Sequence, residues 1–177
     1  MFAAVARWPL QRWPWMLLSG SALLLMLIAL YFQYVMGLAP CIMCVYQRAA
    51  IAGIFVAALV GGFGRQHWPL RWLGYAGWLI AAGWGLKIAH DQVMLEQLVA
   101  SGGFATCGLF AEFPRWLLLD VWLPELFKPT GMCGEIAWQF LGYSMPFWMR
   151  VVFGVYLLTA LIVIASQLKK HKYNPYD

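Results

Sequence analysis

Pro40-Cys41-Ile42-Met43-Cys44-Val45-Tyr46-Gln47-Arg48 lies between two apolar runs, each close to the thickness of a bilayer. On its N-terminal side, Met16 to Val35 is 20 residues without a charge. On its C-terminal side, the only charge between Cys41 and Gly62 is Arg48. About 20 predominantly apolar residues cross a bilayer as a helix. Two spans therefore meet here, joined by a short turn containing Gly37 and Pro40. Pro40 suits the start of a helix, where its missing N–H costs nothing. The pattern predicts a helical membrane protein with two thiols and a cation at the edge of a span.

Composition agrees with that class. Of 177 residues, 63% are hydrophobic and only 11% are charged, and the mean hydropathy is +0.71. Soluble domains carry about 25% charged residues, so a soluble reading leaves too little polar surface to cover a core. The length suits one membrane domain over 1–177. The net charge of +5 comes from arginines and lysines near span ends. It suits anionic lipid and membrane topology, not nucleic acid.

Working outward, Arg7 and Arg12 with Trp8, Trp13 and Trp15 form a basic, aromatic lead-in typical of an interface. The run that follows exceeds the roughly 7–15 residues of a signal-peptide core, so it is expected to be retained. Transmembrane helices are predicted at about 16–35, 41–62, 70–89 and 147–168. The third has an uncharged centre of 15 residues, Trp72 to Leu86, flanked by Arg71 and Lys87, which can snorkel. Residues 91–146 hold six of the seven acidic residues and four of the nine prolines, and are predicted to be a long loop. Within it, Phe113 to Pro124 is apolar but too short to cross, and is expected to lie on the membrane surface as a short helix. The predicted fold is all-α, a four-transmembrane-helix bundle with a long outer loop. Two arginines precede the first span, Arg65 and Arg71 join the second and third, and Lys169, Lys170 and Lys172 follow the fourth. By the positive-inside rule both termini are then cytoplasmic. Cys41, Cys44, Cys107 and Cys133 all face outward, which in a bacterial inner membrane is the periplasm, where disulfides persist.

Three chemistries compete for the cysteines. Two inert disulfides in a structural membrane protein suit Cys107 and Cys133, which have 25 residues between them. They suit Cys41 and Cys44 poorly, because so small a ring removes little chain entropy. A zinc site needs a second closely spaced pair, and Cys107 and Cys133 are too far apart to supply one. Thiol–disulfide exchange fits best. A C-x-x-C at a helix start places thiols at the positive end of the helix dipole, which favours the thiolate. Arg48 is four residues after Cys44 and shares its helix face, so it can stabilise a Cys44 thiolate or an anion beside it. Electrons need an exit, and the chain has no haem C-x-x-C-H and no Gly-rich nucleotide motif. A lipid-soluble quinone is the economical acceptor. A conduit for cytoplasmic thiols would need cysteines on the cytoplasmic side, and the predicted topology has none.

The Pro40–Arg48 stretch resembles the signature of the disulfide bond formation protein B family, DsbB. So do Phe104-Ala105-Thr106-Cys107, Phe113-Pro114-Arg115-Trp116-Leu117-Leu118-Leu119-Asp120, Gly131-Met132-Cys133 and Trp138-Gln139-Phe140-Leu141-Gly142. The resemblance covers nearly the whole chain. One departure is Gln47, where glutamate is usual in the family. The resemblance implies that a reduced periplasmic thioredoxin-fold oxidase, DsbA, attacks the Cys107–Cys133 disulfide and is joined to Cys107. It implies that Cys133 then attacks the Cys41–Cys44 disulfide at Cys41. Cys44 is released as a thiolate and passes electrons to ubiquinone or menaquinone, with Arg48 near the quinone oxygens.

Overall fold

The two apolar runs on either side of Cys41 are helices. The computed structural model describes residues 10–103, 113–114, 117–132, 134 and 138–173, with side chains to residue 168. Helix α1 is Arg12–Tyr34 and α2 is Ile42–Phe63. Helix α3 is Trp68–Ala100, started by Pro69 in its first turn. Two helices of four residues follow, α4 at Leu119–Trp122 and α5 at Pro124–Phe127. Strands β1 (Gln139–Phe140) and β2 (Tyr143–Ser144) form a small hairpin that leads into α6, Met145–Tyr173.

Helices α1, α2 and α6 are long and apolar enough to cross a membrane. Leu17, Leu24 and Leu27 of α1 and Val155 and Leu158 of α6 point away from the bundle. A helix that is apolar on its outer face as well as its inner one is suited to lipid.

Helix α3 departs from the sequence reading. It was expected to end near residue 89 and instead continues to Ala100. At 1.5 Å per residue its 33 residues are about 50 Å long, well beyond a hydrocarbon core of about 30 Å. The polar residues that make the sequence look like loop, Gln92 and Glu96, are instead buried on one helix face, four positions apart. The helix stops at a Schellman-type end. Gly102 takes a φ of +89°, and the Gly103 N–H reaches the Leu98 carbonyl at 2.9 Å.

The β-hairpin is also absent from the all-α expectation. Gln139 pairs with Ser144 and Phe140 with Tyr143, across a two-residue turn of Leu141 and Gly142, both at positive φ. Two positive φ values match the twist of antiparallel strands, and Gly142 meets that demand without strain. The hairpin is fastened by aromatic contacts, with Trp138 stacked on Phe140 and Tyr143 on Phe147. Within the surface stretch expected at Phe113–Pro124, the helices are α4 and α5, interrupted at Leu123; Arg115 and Trp116 lie outside the described residues.

The long helices pack in sequence, α1 on α2, α2 on α3, and α3 on α6. The Tyr156 hydroxyl of α6 donates to Ser21 Oγ of α1 at 2.8 Å and joins the ends of that series. Small residues set the approach distances. A Cβ on Gly74 of α3 would lie 2.7 Å from the Gly61 Cα of α2, so the two backbones touch there. Gly61 also lies under the Trp15 ring, and Gly85 lies under Phe153. Close backbone approach through small residues is how helices associate where lipid gives no hydrophobic incentive.

Gly74→Ala is therefore predicted to destabilise the protein by about 1–3 kcal/mol, because backbone must move to admit the methyl. Gly83→Ala meets nothing within 4 Å and is predicted to be neutral or slightly stabilising. Unfolding in mixed micelles by detergent titration, read by circular dichroism, compares the two.

Candidate functional site

Cys41 is the N-cap of α2, and its sulfur accepts the Cys44 backbone N–H at 3.3 Å. The cap folds the C-x-x-C into one turn and leaves the two sulfurs 2.7 Å apart. Cys41 is buried and Cys44 is partly exposed. Both line a cavity of about 360 Å³ bounded by α1, α2, α3, α6 and residues Gly131, Met132, Gly134 and Trp138. Leu25, Ile28, Phe32 and Met149 form its apolar wall, and Gln47, Arg48, Gln92 and Glu96 supply polar groups.

Arg48 lines the same cavity and is only 6% exposed. Its hydrogen bonds run across α2, away from the sulfurs. Nη1 donates to Gln33 Oε1 at 2.5 Å and to the Leu126 carbonyl at 3.1 Å, and Nη2 donates to the Ala29 carbonyl at 3.1 Å. A snorkelling interfacial arginine keeps its head in water; this one is held between α1 and α5. The α5 segment is strapped from the other side as well. Gln33 Nε2 and the Tyr34 hydroxyl donate to the Glu125 carbonyl at 3.3 and 3.1 Å, and Tyr34 also donates to the Glu125 carboxylate. Further along, the backbone N–H groups of Thr130 and Gly131 both reach the Pro40 carbonyl, at 2.9 and 3.0 Å.

The group that touches the sulfurs is Gln92, which the sequence reading missed. Its Nε2 donates to Cys41 Sγ at 3.4 Å and to Cys44 Sγ at 3.6 Å. Its Oε1 accepts Gln47 Nε2 at 2.7 Å. Gln47, noticed in the sequence only as a departure from a family pattern, thus connects to the sulfurs through one intervening amide. Glu96, one turn beyond Gln92 and past the 70–89 stretch, accepts Ser144 Oγ at 2.5 Å. The structure thus brings Cys41, Cys44 and Arg48 to one cavity; Cys107 and Cys133 lie outside the described residues.

Fold and site together define a multi-pass membrane protein with a vicinal dithiol in a half-apolar cavity. Comparison with known proteins narrows the class. The family described as disulfide bond formation protein DsbB matches residues 11–163. A disulfide bond formation protein B of Pseudoalteromonas translucida is 42% identical over 164 residues, covering 93% of this chain and 95% of the relative. Those of Shewanella frigidimarina and Psychromonas ingrahamii are 45% and 47% identical, covering 92% of this chain and 95% and 86% of theirs. The chain belongs to the DsbB family of membrane proteins of disulfide bond formation.

Gln33→Leu is predicted to destabilise the folded protein by about 1–3 kcal/mol, because a buried guanidinium loses an acceptor. Arg48→Lys keeps the charge but cannot span the same three acceptors with a planar fork. It is predicted to loosen α5, seen as about tenfold faster hydrogen exchange at Phe127 and Lys128, whose N–H groups bond the Leu123 and Pro124 carbonyls.

Proposed function

We propose that this protein re-oxidises a reduced periplasmic thioredoxin-fold thiol oxidase of the DsbA kind and passes the two electrons to a membrane quinone. In this reading α3 is the fourth span, both termini are cytoplasmic, and the Cys41 end of the bundle faces the periplasm. The α4–α5 segment lies on the outer membrane surface. The observation that carries the reading is the cavity itself, where a dithiol, a buried cation and an apolar wall open on one space.

The residues present fit a quinone, which has polar oxygens on a ring and an apolar tail. Arg48 supplies donors for oxygens, and Leu25, Ile28, Phe32 and Met149 supply apolar surface. When bound, the quinone supplies a two-electron sink soluble in lipid. The chain's own residues do the rest. Cys107 receives the partner's thiolate and forms the mixed disulfide. Cys133 resolves it and attacks Cys41. Gly131, two residues before Cys133, is hydrogen-bonded to the carbonyl of Pro40, next to Cys41, which supports that order of attack. Cys44 leaves as the thiolate, one turn from Arg48. The cavity's apolar wall excludes water from the exchange.

Purified protein given a reduced partner and ubiquinone or menaquinone tests the reading by the quinone absorbance. Cys44→Ser is expected to abolish quinone reduction while the protein remains folded; turnover at the wild-type rate sinks the assignment. Cys107→Ala is expected to prevent partner capture, and Cys133→Ala to accumulate a Cys107 mixed disulfide on non-reducing gels. Arg48→Gln is expected to weaken quinone use by about 10- to 100-fold, the loss of one charge-assisted hydrogen bond in a dry site. Arg48→Lys should lose less, and partner capture should be little changed in both.

A further inference from the structure

The amide pair Gln47–Gln92 is buried more deeply than Cys44, with each glutamine about 5% exposed or less. Burying two primary amides is costly unless their donors and acceptors are met. Here they are met in a directional chain. Gln47 Nε2 donates to Gln92 Oε1, and Gln92 Nε2 donates to both sulfurs. An amide has one accepting and one donating end. Because Gln47 occupies the accepting end of Gln92, the donating end is the one turned to the cysteines.

We propose that Gln92 is a catalytic residue that stabilises the thiolate formed at the Cys41–Cys44 pair, and that Gln47 is the positioning residue that sets which end of the Gln92 amide faces the sulfurs. The proposal rests on the reading of Cys41–Cys44 as a redox pair. In the exchange, an incoming thiolate uses a lone pair to form a new S–S bond at Cys41. The Cys41–Cys44 bond breaks, and its electron pair leaves on Cys44 Sγ. The charge appears on an atom that, with the two sulfurs separate at 2.7 Å, accepts a hydrogen bond from Gln92, so the donor is in place for the released thiolate. The hydrogen bonds of Arg48 go to Gln33, Ala29 and Leu126, whereas Gln92, among the described residues, is hydrogen-bonded to both sulfurs. The identity of residue 47 then has a chemical consequence. An ionised glutamate there accepts only. It would recruit the Gln92 N–H groups and turn the Gln92 oxygen toward the sulfurs.

The test uses the full chain in detergent with Cys107→Ser and Cys133→Ser, so that only Cys41 and Cys44 report. Two readouts are taken, the rate of alkylation by iodoacetamide at fixed pH and the dithiol-to-disulfide ratio in glutathione buffers. Gln92→Glu keeps the shape and removes the donors. It is expected to slow alkylation about tenfold and to shift the ratio about tenfold toward the disulfide, equivalent to about 30 mV. Gln47→Glu is expected to move both readouts in the same direction. Gln47→Leu should change them by about threefold alone and not at all in a Gln92→Leu background, because it acts through Gln92. Wild-type alkylation by Gln92→Glu overturns the catalytic assignment. A Gln47→Leu effect that persists without Gln92 overturns the positioning assignment. If the wild-type pair itself fails to cycle between reductant and oxidant, the redox reading of the site fails, and these outcomes separate the two.

Discussion

The burial of Arg48 constrains everything around it. A guanidinium this deep in an apolar bundle is tolerated only if its donors are met, because removing a charge from water costs several kcal/mol. Two acceptors come from α1, the Ala29 carbonyl and Gln33, and one from α5, the Leu126 carbonyl. Helix α1 must therefore run against α2 at the height of the dithiol, and α5, distant in sequence, must fold over the same place. Glu125 and Gly131 are then fastened to Tyr34 and Pro40 on either side. The segment from Glu125 to Gly131 is thus tied to the end of the bundle that carries the dithiol.

The parts of this arrangement that were legible in the sequence are those written locally. Long uncharged runs specify helices because any other backbone in lipid leaves N–H and C=O groups unmet. A C-x-x-C after proline specifies a helix start, and Cys41 does cap α2. Arg48 was legible as a cation on the Cys44 face of its helix, but not its role as a clamp, because its partners are 15 to 78 residues away. Gln92 gave no signal, being 48 residues from Cys44 and within polar sequence that reads as loop. The overrun of α3 to Ala100 was hidden for the same reason. Asp91, Gln92 and Glu96 argue against a membrane span, but they do not argue against a helix. The span criterion and the helix criterion are different, and here they part after Ala89. The hairpin was missed because strands of two residues are too short for an alternating pattern to be seen.

That same overrun explains how a polar site can be kept dry. Primary amides in the middle of a bilayer are expensive, and amides in open water are weak donors because water competes for them. Gln92 lies five residues past Lys87 on α3 and is 5% exposed, in a cavity also lined by Gly131, Trp138 and the start of α6. There a hydrogen bond is electrostatically stronger than in water. The neutrality of the Gln47–Gln92 pair matters in the same place. Arg48 contributes one positive charge beside the cavity, and the proposed exchange at Cys44 would develop one negative charge within it. A carboxylate at position 47 would add a second negative charge one residue from Arg48 and compete with the thiolate for the same field. Two uncharged amides leave that field to the sulfur, at the cost of fixing both side chains in one orientation.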